Sequence, residues 1–254
     1  MFKSLLASAA LGLSSLGLST LPAAAFDLTE MSDDERTALR GEIRSYLMEN
    51  PQVIMDAVAV LEEQQAKAEA ESELGMVAAN AKDIFEDPTS WVGGNPEGDI
   101  TLVEFTDYRC GYCRKAHGEV EQLLKSDGNI RFIVKEFPIL GQDSMTSARF
   151  ALAVKLTAGD DAYKSVHDAL IALKGPVSPA ALTRIAKDAG IDADTAMAKM
   201  DSKEVTDIIA ANHELAQRLQ ISGTPTFVLD DQMLRGYVPL DGMQQLVAQA
   251  RAAD

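Results

Sequence analysis

The spacing of apolar residues divides the chain into two regions that meet at about residue 88. Residues 26–88 show helical spacing and no strand pattern. Ser32 and Glu35 match a capping box, which predicts that a helix begins there. Asn50 as N-cap and Pro51 as first helical residue predict a second helix. The apolar stripes of these helices are Leu39, Ile43, Tyr46 and Leu47, and Ile54, Ala57, Val58 and Leu61.

A polar stretch, residues 62–73, follows the second stripe and has almost nothing to bury. Two short helices and a polar stem cannot form a core alone, so the stripes need a partner. The stripes either pack back on the rest of the chain or associate with other copies of it. We favour self-association, because the charged stem offers little apolar surface for folding back. Residues 26–88 are therefore predicted to form a helical oligomerisation stalk.

Strand patterns begin only after this region. Ile100–Phe105 and Ile130–Val134 are apolar runs typical of buried strands, with a helical pattern between them. This βαβ order predicts a parallel strand pair with a right-handed crossover. Residues 142–220 are helical throughout and are followed by the strands Thr226–Leu229 and Met233–Tyr237 and a helix from about Leu240. Residues 89–254 are thus predicted to be one α/β domain with a helical insertion at about 142–220.

The first 25 residues have the pattern of a signal peptide. Lys3 precedes an apolar segment that runs to about Leu18, and three alanines, residues 23–25, form a small-residue cleavage site. A retained membrane anchor is the alternative, but the segment is short for one. We predict a mature chain that begins at Phe26 and is exported, soluble, to the periplasm.

The net charge excludes one class of function, and the cysteine content favours another. The formal net charge of −16 gives no electrostatic basis for binding nucleic acid. The chain has two cysteines, Cys110 and Cys113, although structural disulfides are common in exported proteins. A disulfide between residues this close constrains the unfolded chain very little, so we interpret the pair as redox-active rather than structural.

The cysteines lie where a strand pattern gives way to a helical one. Cys110 is predicted at the helix N-terminus, where unpaired N–H groups and the helix dipole stabilise a thiolate. Cys110 is the candidate nucleophile, and Cys113, one turn later, is the candidate resolving thiol. Gly111 and Tyr112 lie between them and can tune the pair only through backbone direction and packing. An inert pair or a metal site is the alternative.

These motifs resemble the DsbA family of exported thiol-disulfide oxidoreductases. The resemblance rests on Val103–Phe105, Cys110–Cys113 and Gly223–Phe227, and it covers roughly residues 90–252. Arg44–Pro51 and Phe137–Gly141 further resemble the suppressor-of-copper-sensitivity C proteins. The resemblance implies a thioredoxin-like domain with a helical insertion, preceded by the helical oligomerisation stalk.

The resemblance also implies roles for three further residues. Thr224 and Pro225 match the family's cis-proline loop, which faces the cysteines and binds an extended substrate backbone. Glu104 matches an acidic residue that helps to move the proton of the resolving thiol. The alternative for Glu104 is a glutamate that faces water from the edge of the sheet. Lys135 and Glu136, at the end of the next strand, are weaker candidates for an interaction with the same region.

His117 shares a helical face with the two cysteines, which makes the three side chains candidate ligands for copper(I) or zinc. Three ligands on one helix are poorly placed for tetrahedral coordination, so we predict no metal ligand and no cofactor. His167 and His213 are assigned no role.

The predicted function is that of a periplasmic thiol-disulfide oxidoreductase. Within this class we predict a disulfide isomerase. The expected partners are exported proteins with thiols or disulfides, a membrane redox partner that recycles the pair, and further copies in a homotrimer formed through residues 26–88. No nucleic acid is expected. The alternatives are a monomeric DsbA-type dithiol oxidase and a copper(I)-binding periplasmic redox protein.

Overall fold

The computed structural model describes residues 31–253, which divide into two compact units, one up to Glu62 and one from Glu63 onward. The predicted signal peptide, residues 1–25, and the predicted mature start at Phe26 lie outside the described residues. Across residues 31–253, no helix combines the length and apolar character that a membrane span requires.

The first helix begins as the sequence predicts. In α1 (Asp33–Glu49), the backbone N–H of Glu35 donates to the Ser32 hydroxyl, and the Glu35 carboxylate accepts from the Ser32 N–H at 2.9 Å. The predicted N-cap role of Asn50 is wrong. The Asn50 side-chain amide instead donates to the carbonyl of Tyr46 at 2.9 Å, so it closes the last turn of α1. The next helix, α2 (Gln52–Ala79), starts after Pro51.

The apolar stripes of the first unit are not buried within that unit. No residue of α1 is buried. Between 51% and 57% of the surface of Ile43, Tyr46, Ile54 and Leu61 is accessible to solvent. Large apolar side chains exposed in such a row need a partner outside the unit.

Residues 63–88 contribute to the core of the second unit. Val77 in α2 and Ile84 in α3 (Ala81–Phe85) are buried in one apolar cluster with residues of the sheet, including Val103 and Phe105. Val77 and Ile84 therefore share one core with strand residues that lie on the other side of the predicted boundary between residues 88 and 89. The packing partners of residues 74–85 lie in strands that come later in the chain.

The second unit is built on a mixed five-stranded sheet in the order β1-β3-β2-β4-β5. Strands β2 and β3 are parallel and joined by the helix that carries Cys113, as the βαβ pattern predicts, and the other pairs are antiparallel. The last strand ends at Arg235 rather than at Tyr237, since Gly236 leaves the extended region with φ +93°. The strands are β1 (Trp91–Gly94), β2 (Ile100–Thr106), β3 (Ile130–Glu136), β4 (Thr226–Leu229) and β5 (Gln232–Arg235).

Side-chain alternation along β2 separates two cores. Ile100 and Leu102 lie in the larger cluster, with Cys113 and the helices of the insertion, whereas Val103 and Phe105 lie in the cluster on the other face. Glu104 is in register with the first set, so its side chain points toward the helix that carries Cys113. The remaining helices are α4 (Gly111–Asp127), α5 (Gln142–Ala158), α6 (Asp160–Ala172), α7 (Pro179–Asp188), α8 (Ala193–Lys199), α9 (Lys203–Arg218) and α10 (Leu240–Ala253).

Two glycines provide a matched test of the packing in the second unit. A Cβ at Gly98 would lie 2.5 Å from the carbonyl oxygen of Asn129 and 2.7 Å from the amide nitrogen of Arg131. Because both are backbone atoms of the neighbouring chain segment, Gly98→Ala is expected to lower the free energy of unfolding by about 1–3 kcal/mol. Urea denaturation of purified protein measures this change.

Gly118→Ala is the control. Gly118 lies within α4 with no atom within 4 Å of an added Cβ, so this substitution should stabilise the protein by about 0.5–1 kcal/mol. Equal effects of the two substitutions would contradict the close backbone approach at Gly98.

Candidate active site

Cys110 lies at the N-terminus of α4, just beyond the C-terminal end of β2. It is the N-cap residue of the helix, and its backbone N–H donates to the carbonyl of Asp107 at 3.0 Å. Only 7% of its surface is accessible. The first N–H groups of α4 and the positive end of the helix dipole therefore lie beside a thiol that is almost completely buried.

The loop before β4 meets Cys110 from the opposite side. The Thr224–Pro225 peptide bond is cis, and the Cys110 thiol donates to the Thr224 carbonyl at 3.1 Å. Antiparallel pairing of Phe105 with Thr226 brings this loop to the end of β2 from which α4 departs. Thr224 and Pro225 thus lie next to the cysteines, where the sequence placed them.

Cys113 is fully buried on the inner side of α4. Both cysteines are free thiols. Burial raises the pKa of Cys113 well above its usual value, and the charge of Glu104 raises it further. Cys113 therefore keeps its proton in this state, and its conversion to a thiolate requires a nearby proton acceptor.

Glu104 is the nearby group with the chemistry to accept that proton. Only 3% of its surface is accessible, so the alternative of a water-facing glutamate is wrong. Burial raises the pKa of Glu104 to about 7, while a hydrogen bond with Thr106 and the charge of His117 oppose this rise. A carboxyl group with this pKa exchanges protons near neutral pH.

Gly111 and Tyr112 lie on the exposed rim of the site. A Cβ at Gly111 would meet open space, and 64% of the Tyr112 surface is accessible. The Tyr112 ring stacks on Tyr237 with 6.2 Å between ring centroids, and the ammonium of Lys115 lies 4.2 Å from the centre of the Tyr237 ring. This aromatic pair forms a wall beside Cys110 that sequence reasoning missed, because Tyr237 looked like a strand residue.

Asp107 connects the loops around the site through hydrogen bonds of its carboxylate. Sequence reasoning also missed this residue. Its carboxylate accepts from the backbone N–H of Arg109 at 2.7 Å, and from those of Ile139 and Leu140 at 2.8 and 3.0 Å. The side chain therefore joins the Phe137–Gly141 loop to the segment that carries Cys110. A polar residue directly after a buried strand was the available signal for this role.

A buried polar network extends from the other side of Cys110. The Glu136 carboxylate accepts from the hydroxyls of Tyr108 and Tyr163 at 2.6 and 2.7 Å, and burial raises its pKa to about 8. Tyr108 also lies 2.9 Å from Nδ1 of His167. Lys135 points to the opposite face of the sheet, where its ammonium donates to Asp87 at 2.7 Å. Of the two weaker candidates, Glu136 alone is on the Cys113 side.

His117 does not form a three-ligand site with the cysteines. Its Nε2 lies 3.2 Å from the Asp168 carboxylate. In the part of the chain that the structure describes, the ligand cluster that includes His117 contains neither Cys110 nor Cys113. His213 lies apart from the site, with its ring against Phe137.

The arrangement combines four parts that dithiol-disulfide exchange uses. They are a thiol at a helix N-terminus, a second thiol buried one turn away, a buried carboxyl group of suitable pKa, and a backbone edge beside the first thiol. Near Cys110 and Cys113, the exposed wall of Tyr112 and Tyr237 adds an apolar contact surface.

Comparison with known proteins agrees with the presence of these four parts of a dithiol-disulfide exchange site. The family model of the DSBA-like thioredoxin domain matches residues 101–248, and that of the copper resistance protein ScsC N-terminal domain matches residues 35–68. A thioredoxin-like oxidoreductase from Silicibacter pomeroyi DSS-3 is 41% identical in sequence, with 68% of this chain and 98% of that chain covered and a TM-score of 0.64. The thiol-disulfide exchange protein alpha-DsbA2 from Wolbachia pipientis is 28% identical, with 72% and 98% covered and a TM-score of 0.67.

A further relative is longer than this chain. Na(+)/H(+) antiporter NhaA 1 of Salinispora arenicola is 30% identical over 162 residues, which are 63% of this chain and 24% of that protein. The chain spans 24–25% of the length of the first curated relatives that it matches. The match to residues 101–248 covers more than half of the 254 residues, and the chain therefore belongs to the family of DSBA-like thioredoxin domains.

Proposed function

We propose that the protein is a periplasmic thiol-disulfide oxidoreductase that acts on exported proteins. The observation that carries this proposal is the position of Cys110, at the N-terminus of α4 with its thiol 3.1 Å from the Thr224 carbonyl of the cis-proline loop. An extended substrate that pairs with the backbone of Thr224 would bring its sulfur to Cys110. The two family models and the relatedness to a thioredoxin-like oxidoreductase support the same activity.

The exchange begins with attack by the Cys110 thiolate on a substrate disulfide. A bond forms between Cys110 and one substrate sulfur, and the other substrate sulfur leaves as a thiolate that takes a proton from solvent. In isomerisation, another substrate thiolate attacks the mixed disulfide, so a new substrate disulfide forms and Cys110 is released unchanged. No net oxidation or reduction occurs on this route.

Resolution by Cys113 is the second route out of the mixed disulfide. Cys113 loses its proton and attacks the Cys110 sulfur, which leaves the substrate reduced and the Cys110–Cys113 disulfide formed. We assign Glu104 as the acceptor of that proton, because the two groups interact electrostatically within the same core. Two electrons from a membrane dithiol partner would then restore the reduced pair.

The first unit supports isomerisation as the direction of exchange. Its apolar stripe is exposed in a single chain, and the ScsC N-terminal family model covers the same residues, 35–68. We propose that the chain forms a homotrimer through this stripe, which lies within residues 26–88. Several sites on one assembly raise the effective concentration of reactive thiols around a misfolded substrate.

The monomeric oxidase and the copper(I)-binding protein remain the alternatives. A monomer would present one site, which favours a single oxidation over repeated exchange. Copper(I) favours thiolate ligands, which only Cys110 and Cys113 supply in this chain. Burial and the high pKa of Cys113 disfavour its use as a thiolate ligand.

Cys110→Ala tests the proposed nucleophile. We expect it to abolish the reactivation of scrambled ribonuclease and the reduction of insulin, because no mixed disulfide can form. Cys113→Ala should keep the attack and accumulate the mixed disulfide, which non-reducing electrophoresis detects. Reactivation by Cys110→Ala at the wild-type rate would contradict the mechanism.

Glu104→Gln tests the proton transfer. In the wild type, the rate at which Cys113 resolves a Cys110 mixed disulfide should rise with pH through about 7, where Glu104 ionises and becomes a base. In Glu104→Gln, that rise should be lost and the rate at pH 7.5 should fall by about 10²-fold, which is typical of losing a general base. Stopped-flow measurements between pH 5.5 and about 8.5 give both quantities.

The sign of the stability effect provides an independent check. Burial raises the pKa of Glu104 in the folded protein, so its protonated form contributes stability below its unfolded pKa. That contribution is lost as pH rises through about 7. Glu104→Gln should therefore make the stability of the reduced protein less dependent on pH between about 5 and 8, and an unchanged dependence would contradict the raised pKa.

The oligomer is tested by placing charge on the stripe. Ile54→Glu with Leu61→Glu puts two carboxylates on the exposed apolar side of α2 and should convert the trimer to a monomer in light scattering. Reactivation of scrambled ribonuclease should fall, while reduction of insulin by each site continues. Gln52→Glu with Ala59→Glu is the control, since these positions lie on the polar side of the same helix with Asp56. A wild-type mass for the stripe variant would contradict the proposed interface.

A further inference from the structure

A cluster of three side chains behind the redox pair has the composition of a metal site. His117 on α4 and His167 and Asp168 on α6 each offer a ligand atom, and these atoms lie within 4.8 Å of one another. We propose that His117, His167 and Asp168 bind a divalent cation of the Zn²⁺ class. Two imidazoles and a carboxylate are a ligand set that Zn²⁺ accepts, with a fourth position left for water.

One pair of donors already has the spacing that a single bound ion needs. Nε2 of His117 lies 3.2 Å from Oδ1 of Asp168. Two ligands that each lie about 2.0–2.1 Å from a tetrahedral Zn²⁺ are about 3.3 Å apart. The ligands also come from two helices, so the crowding that disfavours three ligands on one helix does not arise here.

The hydrogen bonds of His167 orient its ring for this role. Its Nδ1 lies 2.9 Å from the Tyr108 hydroxyl, and that hydroxyl donates its one proton to Glu136 at 2.6 Å. With the Tyr108 proton directed to Glu136, Nδ1 of His167 donates to the Tyr108 hydroxyl, which leaves Nε2 with a free lone pair. Metal-binding histidines usually donate their second nitrogen in this way.

Burial and access are both appropriate for a bound ion. Only 3% of the His167 surface is accessible, so its ring is held inside the core. The side chains of His117 and Asp168 are 22% and 42% accessible, which gives an ion a path from solvent.

Lys164 is the cation that competes for this position. Its ammonium donates to both oxygens of Asp168 at 2.7 and 2.6 Å, and it lies 3.2 Å from Glu121. A bound ion would share Asp168 with this ammonium or displace it toward Glu121. Removing the charge of Lys164 should therefore strengthen metal binding, which is the opposite of the effect of losing a ligand.

Zinc binding to the untagged protein tests the proposal. The protein is used in the exported form with the Cys110–Cys113 disulfide formed, so that neither sulfur can act as a thiolate ligand. Competition with a chromogenic chelator should give one Zn²⁺ per chain, and Zn²⁺ should raise the melting temperature. His117→Ala and Asp168→Asn should each weaken binding by at least about 10-fold and remove the shift in melting temperature.

Two variants complete the test. Lys164→Met should bind Zn²⁺ more tightly than the wild type does. His213→Gln removes the third histidine of the chain, which lies outside the cluster, and should bind as the wild type does. Absence of stoichiometric binding would overturn the site. Binding that persists unchanged in both His117→Ala and Asp168→Asn would also overturn it, by placing the ion on other carboxylates of this acidic chain.

Discussion

The central position of β2 in the sheet is the constraint on which the site depends. Its parallel neighbour β3 ends at the same edge as β2, and its antiparallel neighbour β4 begins there. One edge therefore collects the start of α4 with Cys110, the end of β3 with Glu136, and the loop of Thr224 and Pro225. The hydrogen-bond registers of the β2–β3 and β2–β4 pairs set these positions. Backbone pairing therefore brings Cys110 to the Thr224 carbonyl, 3.1 Å from the thiol.

Burial of acids beneath this edge gives the site its chemistry. Glu104 and Glu136 are both inside the core on the side of α4, where desolvation raises the pKa of each toward neutrality. Glu136 is held by two tyrosine hydroxyls, whereas Glu104 interacts with Cys113. The two carboxyl groups thus differ in what their protons can do. The proton of Glu136 belongs to a hydrogen-bonded network that orients Tyr108 and His167, whereas in the proposed mechanism Glu104 accepts the proton of the Cys113 thiol.

The first unit differs from the second because its large apolar side chains are exposed rather than buried in a core of its own. Propensity and capping make its helices, and in the proposed trimer other copies of the chain would bury the stripe. The remainder of the helical region, including Val77 and Ile84, has found its partners in the sheet. The two cysteines lie in the second unit, and the proposed isomerase direction depends on how many second units the proposed trimer brings together.

The sequence by itself determined the elements and the chemistry that depends on neighbours along the chain. Apolar spacing predicted β2, α4 and β3, and their junction placed Cys110 at a helix N-terminus with Cys113 one turn later. These results are local, because periodicity and capping are read within a few residues. Only the tertiary structure decided which distant residues meet. It buried Glu104, assigned Lys135 and Glu136 to opposite faces, brought Tyr237 onto Tyr112, and placed His117 against His167 and Asp168. Such contacts depend on strand register and helix packing, which join residues far apart in the chain and leave no periodic signal in it.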